Sequence, residues 1–328
     1  MNKNKNEDVA IHKVLWGLQG EKLTRTGLKD MGPFKDLKFK GMKSNLMIWD
    51  DVVERKDKGM SFMPVAPLHL LEQLFEVSPK LVGSSHLLLA HEVIAEPEAW
   101  SAFFTKLRSN LGTLDIIMDN SAVELESHAG VEATFKAALT VEANYYALPD
   151  VLKDKALTLL EATRALETLP QVSDPLWEAT GRKSGRPMPM FILQGTRIED
   201  FVECMEAVHG FPNKELITMI GIPRLAQDHM VDRLTLVKLC RAILPGRRIH
   251  LLGFSDNTVR DLVAQHEGCT IDSAVPLRAG QQNADFSWAN ADYGPRGDFF
   301  TSSEDLKFST ITNLKFVRSC MRDIHYGS

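Results

Sequence analysis

From about residue 61 onward, short apolar runs alternate with amphipathic stretches whose spacing fits helices. The runs His86–Ala90, Leu114–Met118, Asn144–Leu148, Met190–Gln194, Leu216–Gly221, Arg248–Gly253 and Cys269–Asp272 predict strands. Helices are expected over Glu98–Asn110, Ala133–Thr140, Leu152–Thr168, Arg197–His209, Asp228–Leu244 and Asn257–Gln265. A final helix is expected after the capping pattern Asp298-Phe299-Phe300-Thr301-Ser302-Ser303-Glu304-Asp305, a tail read as packing only. Strands that are apolar throughout are covered on both faces, which points to a parallel sheet flanked by helices. Residues 61–328 therefore predict an α/β fold, a (β/α)8 TIM barrel closed by one further strand after Arg278. An open doubly wound sheet is the alternative, and no GxGxxG or Walker loop favours it.

Charge sets residues 1–60 apart. Between His12 and Lys43 there are eight Lys or Arg against three acids, and the region ends in the charged run Asp50–Gly59, read as a hinge or turn. The chain therefore divides into a basic extension, 1–60, and a catalytic barrel, 61–328. The extension is either a solvated appendage or a nucleic-acid contact surface, with Lys35, Lys38, Lys40 and Lys43 as candidate contacts. The net charge of −5 argues against a broadly basic coat but is compatible with a local basic groove. Cys204, Cys240, Cys269 and Cys320 are too widely spaced for a zinc knuckle or a disulfide framework, so no metal is expected. The opening MNKNKNEDVAIHK has no signal-peptide core, and no 18-residue apolar run occurs, which predicts a cytoplasmic protein without a membrane partner.

In a barrel, chemistry sits where strands end. Those ends carry Asp119, Asp150, Gln194-Gly195, Gly221, Gly253 and Asp272. Taken singly, each has a bland reading: Asp119 or Asp150 as a helix cap, Gln194 as a satisfied core amide. Together, the acids and amide match the donor edge of a purine-like base, and the glycines let a flat ligand approach backbone. Two carboxylates on strand ends, Asp119 and Asp272, also suit a displacement at a sugar carbon, one acid attacking and the other moving a proton. His86 and His91-Glu92 lack a partner at metal-ligand spacing and read as polar rim groups. Asp256-Asn257 reads as a helix cap.

The ordered set of segments resembles the guanine transglycosylase family, whose tRNA enzymes exchange guanine for a 7-deazaguanine. Ser61-Phe62-Met63-Pro64-Val65-Ala66 resembles its VFMPVGT segment, and Asp119-Asn120-Ser121-Ala122 stands where the family has DSGG. Ala147-Leu148-Pro149-Asp150 is similar to its xFD strand end, Phe191-Ile192-Leu193-Gln194-Gly195 to IVQGG, and Met219-Ile220-Gly221-Ile222 to its glycine-rich fifth strand. His250-Leu251-Leu252-Gly253-Phe254 resembles LMGVG, and Asp272 to Arg278 has the spacing of DCVLPTR. The resemblance implies Asp272 as nucleophile and Asp119 as general acid/base. It implies base recognition by Asp150, Gln194, Gly195, Gly221 and Gly253.

Three departures shape the expectation. The C-x-C-x2-C zinc motif that follows the nucleophile in the tRNA enzymes is missing, since residues 279–328 contain only Cys320. The family's stacking aromatic falls at Val123, opposite Leu252, so the base is expected between aliphatic walls. The glutamate used with aminomethylated bases has no counterpart in Ile222–Gln227. These point to the zinc-lacking relatives of phages and bacteria that place 7-deazaguanines, such as preQ0, in DNA. Arg278 is then expected on a target phosphate, and no cofactor is called for. Exchange on tRNA is the first alternative, and a non-catalytic barrel acting as a binding or scaffold subunit is the second.

Overall fold

The computed structural model describes residues 61–182, 185–224, 232–253, 269–286, 299–300 and 304–321, all within the compact unit Lys58–Ser328. Eight strands form one parallel sheet: β1 (Ser61–Pro64), β2 (Ser85–Leu89), β3 (Asp115–Asp119), β4 (Tyr145–Ala147), β5 (Met188–Ile192), β6 (Met219–Pro223), β7 (Arg248–Leu252) and β8 (Cys269–Ser273). The helices are α1 (Leu68–Val77), α2 (Pro79–Val82), α3 (Ala90–Ala95), α4 (Pro97–Leu111), α5 (Val131–Thr140), α6 (Lys155–Ala179), α7 (Ile198–Ala207), α8 (Arg233–Ile243), α9 (Val275–Gln281) and α10 (Phe308–Met321). The sheet order β1-β8-β7-β6-β5-β4-β3-β2 is that of a (β/α)8 barrel. At its seam the Ser61 hydroxyl donates to that of Ser85 at 2.9 Å.

The predicted strands and helices are present wherever the structure describes them, apart from the closing strand. Among the described residues no strand follows Arg278, because the chain turns from β8 into α9. The barrel is closed instead by β1, whose register pairs Met63 with Asp272. Four residues ending in proline, next to a charged run, give too short an apolar signal to mark a strand. The helix expected to stop at Thr168 also continues to Ala179 through Pro170 and Pro175. Pro170 offers no N–H to the Leu166 carbonyl four residues earlier. That carbonyl accepts instead from Asn213 Nδ2 at 3.0 Å, so the lost bond is replaced. The expected helix Asn257–Gln265, the Asp256-Asn257 cap and all of residues 1–60 lie outside the described residues.

Alternate strand positions fill the barrel. Met63 and Val65, Leu87 and Leu89, Ile117, Ala147, Met190 and Ile192, and Met219 form one buried cluster. The other face of each strand packs under helices: Tyr146 meets Phe135 of α5 at 5.2 Å between ring centres, and His86 meets Phe104 of α4 at 5.3 Å. Burial on both faces is why the strands read as continuous apolar runs. Polar groups occupy the two ends. At the N-terminal end, Arg248, the first residue of β7, donates to Asp115 at 2.7 Å and to the Tyr145 hydroxyl at 3.0 Å. At the C-terminal end, the last residues of the strands surround a cavity.

Helix α10 seals the segment that follows β8. Asn313 Nδ2 donates to the carbonyls of Pro276 and Ala284 at 3.1 and 2.9 Å, while its Oδ1 accepts from Phe286 N at 2.9 Å. The approach is close because Gly280 has no side chain; a Cβ there would fall on the Thr310 backbone. Gly280→Ala is expected to destabilise the fold by about 1–3 kcal/mol through overpacking. Chemical denaturation measures this, with Gly210→Ala as the control, since a Cβ at Gly210 meets nothing within 4 Å.

Candidate active site

The cavity at the C-terminal end has a volume of about 400 Å³. Its apolar walls include Val65, Leu87, Leu89, Ile192, Leu252 and Phe300, and its polar lining includes Asp119, Asn120, Glu124, Asp150, Gln194, Asp272, Ser273, Arg224 and Arg278. Of the residues singled out from sequence, Asp119, Asp150, Gln194, Asp272, Val123, Leu252, Gly253 and Arg278 line it together. Gly195 and Gly221 do not. A Cβ on Gly195 would fall on Asp200, and one on Gly221 would stand 3.1 Å from both Ile192 and Leu252. Both glycines therefore serve close packing at the strand ends. Lys35, Lys38, Lys40 and Lys43 lie outside the described residues.

Asp272 is near the end of β8 and only 7% exposed. Its Oδ1 accepts from Gly253 N at 2.8 Å and lies 3.1 Å from His250 Nε2. Oδ2 has no hydrogen bond among the described residues and is left for a ligand. Gly253 can present its N–H in this way because it turns at φ 64, in the left-handed region that favours glycine. His250 is fully buried in β7, with Nδ1 2.8 Å from the Thr270 hydroxyl. Toward an ionised Asp272, which only accepts, Nε2 must carry the proton, and Nδ1 then accepts from Thr270.

Asp150 is held differently. Asn120 Nδ2 donates to its Oδ1 at 2.7 Å, and Gln194 Nε2 donates to its Oδ2 at 2.6 Å. Asn120 is itself fixed by Leu148 O and Ala122 N, and Gln194 Oε1 accepts from Lys153 N at 3.0 Å. Asp150 is therefore no helix cap; that place belongs to Asp154, which accepts from Leu157 N. Burial raises the Asp150 pKa, opposed by the two amide bonds and by His128.

Asp119, the last residue of β3, receives one backbone bond, from Ser121 N at 3.0 Å. Burial pushes its pKa well above the ordinary carboxylate value, and the charges of Glu124, Asp150 and Asp272 add to the shift. The three acids thus differ in their donors: Asp272 has a backbone N–H and an imidazole, Asp150 two amides, and Asp119 a single N–H.

Among the lining or supporting residues that sequence reasoning missed, four stand out. His250 carries a signal, since period-two alternation places it on the same face as Leu252, and parallel pairing sets it beside Thr270. Asn120 stands in the quoted Asp119–Ala122 segment, but its bond to Asp150 needs the β3–β4 neighbourhood. Arg224 reaches the cavity beside Gly253. Phe300 corrects two expectations: it lines the cavity rather than serving only as packing, and it adds an aromatic to walls expected to be aliphatic. It lies far along the chain from any strand, so no periodicity points to it.

His91 pairs with Glu92 at 3.2 Å, and buried His86, its pKa lowered to about 4 chiefly by burial, bonds the Gly83 carbonyl. Among the described residues no group of three His, Cys, Asp or Glu side chains is arranged to hold a metal ion, and no helix is long and apolar enough to cross a membrane.

No protein-family model matches the chain, and comparison with curated proteins finds no match.

The raised Asp119 pKa has a consequence for stability. Between the unfolded aspartate pKa, about 3.9, and the higher folded value, the native state binds more protons. Stability conferred by the neutral acid is therefore full below that lower limit and is lost as pH rises through the folded value. Asp119→Asn, which stays neutral, is expected to gain stability relative to wild type as pH rises from about 4 to 8. Urea denaturation across that range measures the difference; a constant offset would show that Asp119 ionises as freely in the fold as in the unfolded chain.

Proposed function

We propose that the protein is a guanine transglycosylase that exchanges guanine in DNA for a 7-deazaguanine base through a covalent aspartyl–sugar intermediate. The observation that carries this reading is the direction of the His250–Asp272 pair. In a hydrolytic relay the imidazole touches the substrate and the acid stands behind it. Here the imidazole is buried and the carboxylate lines the cavity, which supports the acid as the reacting group.

Asp272 Oδ2 attacks C1′ of the target nucleotide, the C1′–N9 bond breaks, and its electron pair leaves with guanine. Asp119, its pKa raised chiefly by burial, gives its proton to the departing base. As a carboxylate it then takes the N9 proton of the incoming 7-deazaguanine, whose nitrogen displaces Asp272 from C1′. Protons balance over the cycle, and no cofactor is consumed. Asp150 and Gln194 face the edge of the base, and Arg278 holds a phosphate of the target strand. The nucleotide must leave the helical stack to reach this depth. The resemblance of the ordered strand-end segments supports the same reading. The missing cysteine motif after Asp272 favours DNA over tRNA.

Incorporation of labelled 7-deazaguanine into DNA and into tRNA, read by mass analysis of nucleosides, tests the proposal. Incorporation into DNA is expected; transfer to tRNA alone would move the reading to the tRNA enzymes, and transfer to neither would overturn it. Asp272→Asn keeps the side-chain volume and is expected to lower exchange by about three orders of magnitude or more, as losses of a nucleophile do. Near-normal turnover in that variant, or a protein–DNA adduct trapped with Asp272→Ala, would overturn the assignment. Asp150→Ala is expected to weaken binding of the free base by about 1–3 kcal/mol, the cost of an unmet buried donor. Calorimetry with the base and with abasic DNA separates the two effects, since equal losses would make Asp150 structural.

A further inference from the structure

Arg233 is the first residue of α8, set in place by Asp232, whose side chain caps the helix by accepting from Leu234 N at 3.2 Å and Thr235 N at 3.0 Å. It is fully buried and lines no part of the cavity. A guanidinium is rarely sealed inside a protein unless its donors are matched. Here Nη1 donates to Gly253 O at 2.6 Å, and Nη2 to Ile222 O and Leu252 O at 3.2 and 3.3 Å. The fork thus ties the C-terminal ends of β6 and β7 together.

One of these carbonyls matters beyond the tie. Leu252 C=O and Gly253 N–H belong to the same peptide unit, and that N–H donates to Asp272 Oδ1. A cation on the carbonyl oxygen draws electron density from the peptide and makes its N–H a stronger donor, the cooperative effect of chained hydrogen bonds. We infer that Arg233 is a positioning residue for Asp272, acting through the Leu252–Gly253 peptide: it fixes the direction of the Gly253 N–H and strengthens its bond to the carboxylate. The inference rests on the proposed reaction only for its kinetic consequence; the hydrogen-bond chain stands apart from it. The connection runs through a backbone peptide, so sequence spacing alone gives no hint of it.

The test is a double-mutant cycle read on the Gly253 amide proton by NMR of the full-length protein labelled with 15N-glycine. Arg233→Met is expected to move that proton upfield in the wild-type background and to move it much less in Asp272→Ala, where the acceptor is gone. Arg233→Lys, which keeps the charge but cannot span both strand ends, is expected to give a smaller shift with the same dependence on Asp272; it decides the question if Arg233→Met does not fold. An upfield shift of equal size in both backgrounds would mean that Arg233 only packs the turn, and would overturn the inference, as would no shift at all. In exchange assays Arg233→Lys is expected to lower kcat about tenfold with KM changed less than about twofold, the pattern of a loss felt at the transition state. Equal loss in KM alone would overturn it. If wild-type protein exchanges no base, the NMR cycle still decides the role of Arg233, and the failure falls on the proposed reaction alone.

Discussion

Burying the Asp272 carboxylate at the closing edge of the barrel is the constraint around which the upper half of the structure is arranged. A carboxylate removed from water needs donors, because an unpaired buried charge costs several kcal/mol or more. β8 lies between β7 and β1, so the donors have to come from those strands. β1 ends in proline and has no N–H at Pro64 to give. β7 therefore supplies both, a side chain from His250 and a backbone N–H from Gly253. Each of these then makes its own demand. His250 needs a partner on its far nitrogen and finds Thr270, two residues before Asp272 on the same face. Gly253 must turn into a conformation that a larger residue would resist, and Arg233 gathers the carbonyls exposed at that turn.

The same physics sorts the three acids without any change in residue type. Among the described residues their donors and neighbours differ. Asp150 sits between two amides that are themselves saturated by backbone, so its orientation is fixed while its outer lone pairs stay open to the cavity. Asp119 has one backbone donor among the described residues, and burial first, then its acidic neighbours, push its pKa well above the ordinary value. The apolar waist of the barrel, Met63, Ile117, Met190 and Met219, separates this charged end from the Arg248–Asp115–Tyr145 cluster at the other.

Much of the fold was legible because parallel strands buried on both faces leave an unbroken apolar signal, and seven of the eight did. The eighth was lost at Ser61–Pro64, where the strand is four residues long and its partner lies some 200 residues away in β8. Helix ends were misread where tertiary bonds replaced local ones, as at Pro170, whose missing N–H leaves the Leu166 carbonyl to Asn213. In the site, residues that end strands were legible by position: Asp119, Asp150, Gln194, Gly253 and Asp272 all reach the cavity. Residues whose role depends on a neighbouring strand were not. His250 acts through a partner twenty residues on, and Phe300 arrives from outside the barrel. Gly195 and Gly221 mark the opposite error, in which a glycine at a strand end signals close packing of side chains rather than an open approach for a ligand.

Under the proposed reaction, one base-reading edge, Asp150 and Gln194, serves both the departing and the incoming base. The cavity of about 400 Å³ is within the range of ligand sites. Guanine must leave that edge before its replacement is read there. During that interval the sugar has lost its base, and a merely bound oxocarbenium-like sugar would be captured by water. Covalent attachment to Asp272 holds C1′ at a fixed point while the base site empties and refills. One base-reading edge used in turn by two bases thus suits a covalent intermediate, and the proposed reaction predicts ping-pong kinetics in the two bases. It also gives the rigid support of Asp272 a purpose: the carboxylate that attacks must still be in line, with its donors in place, when the second base displaces it.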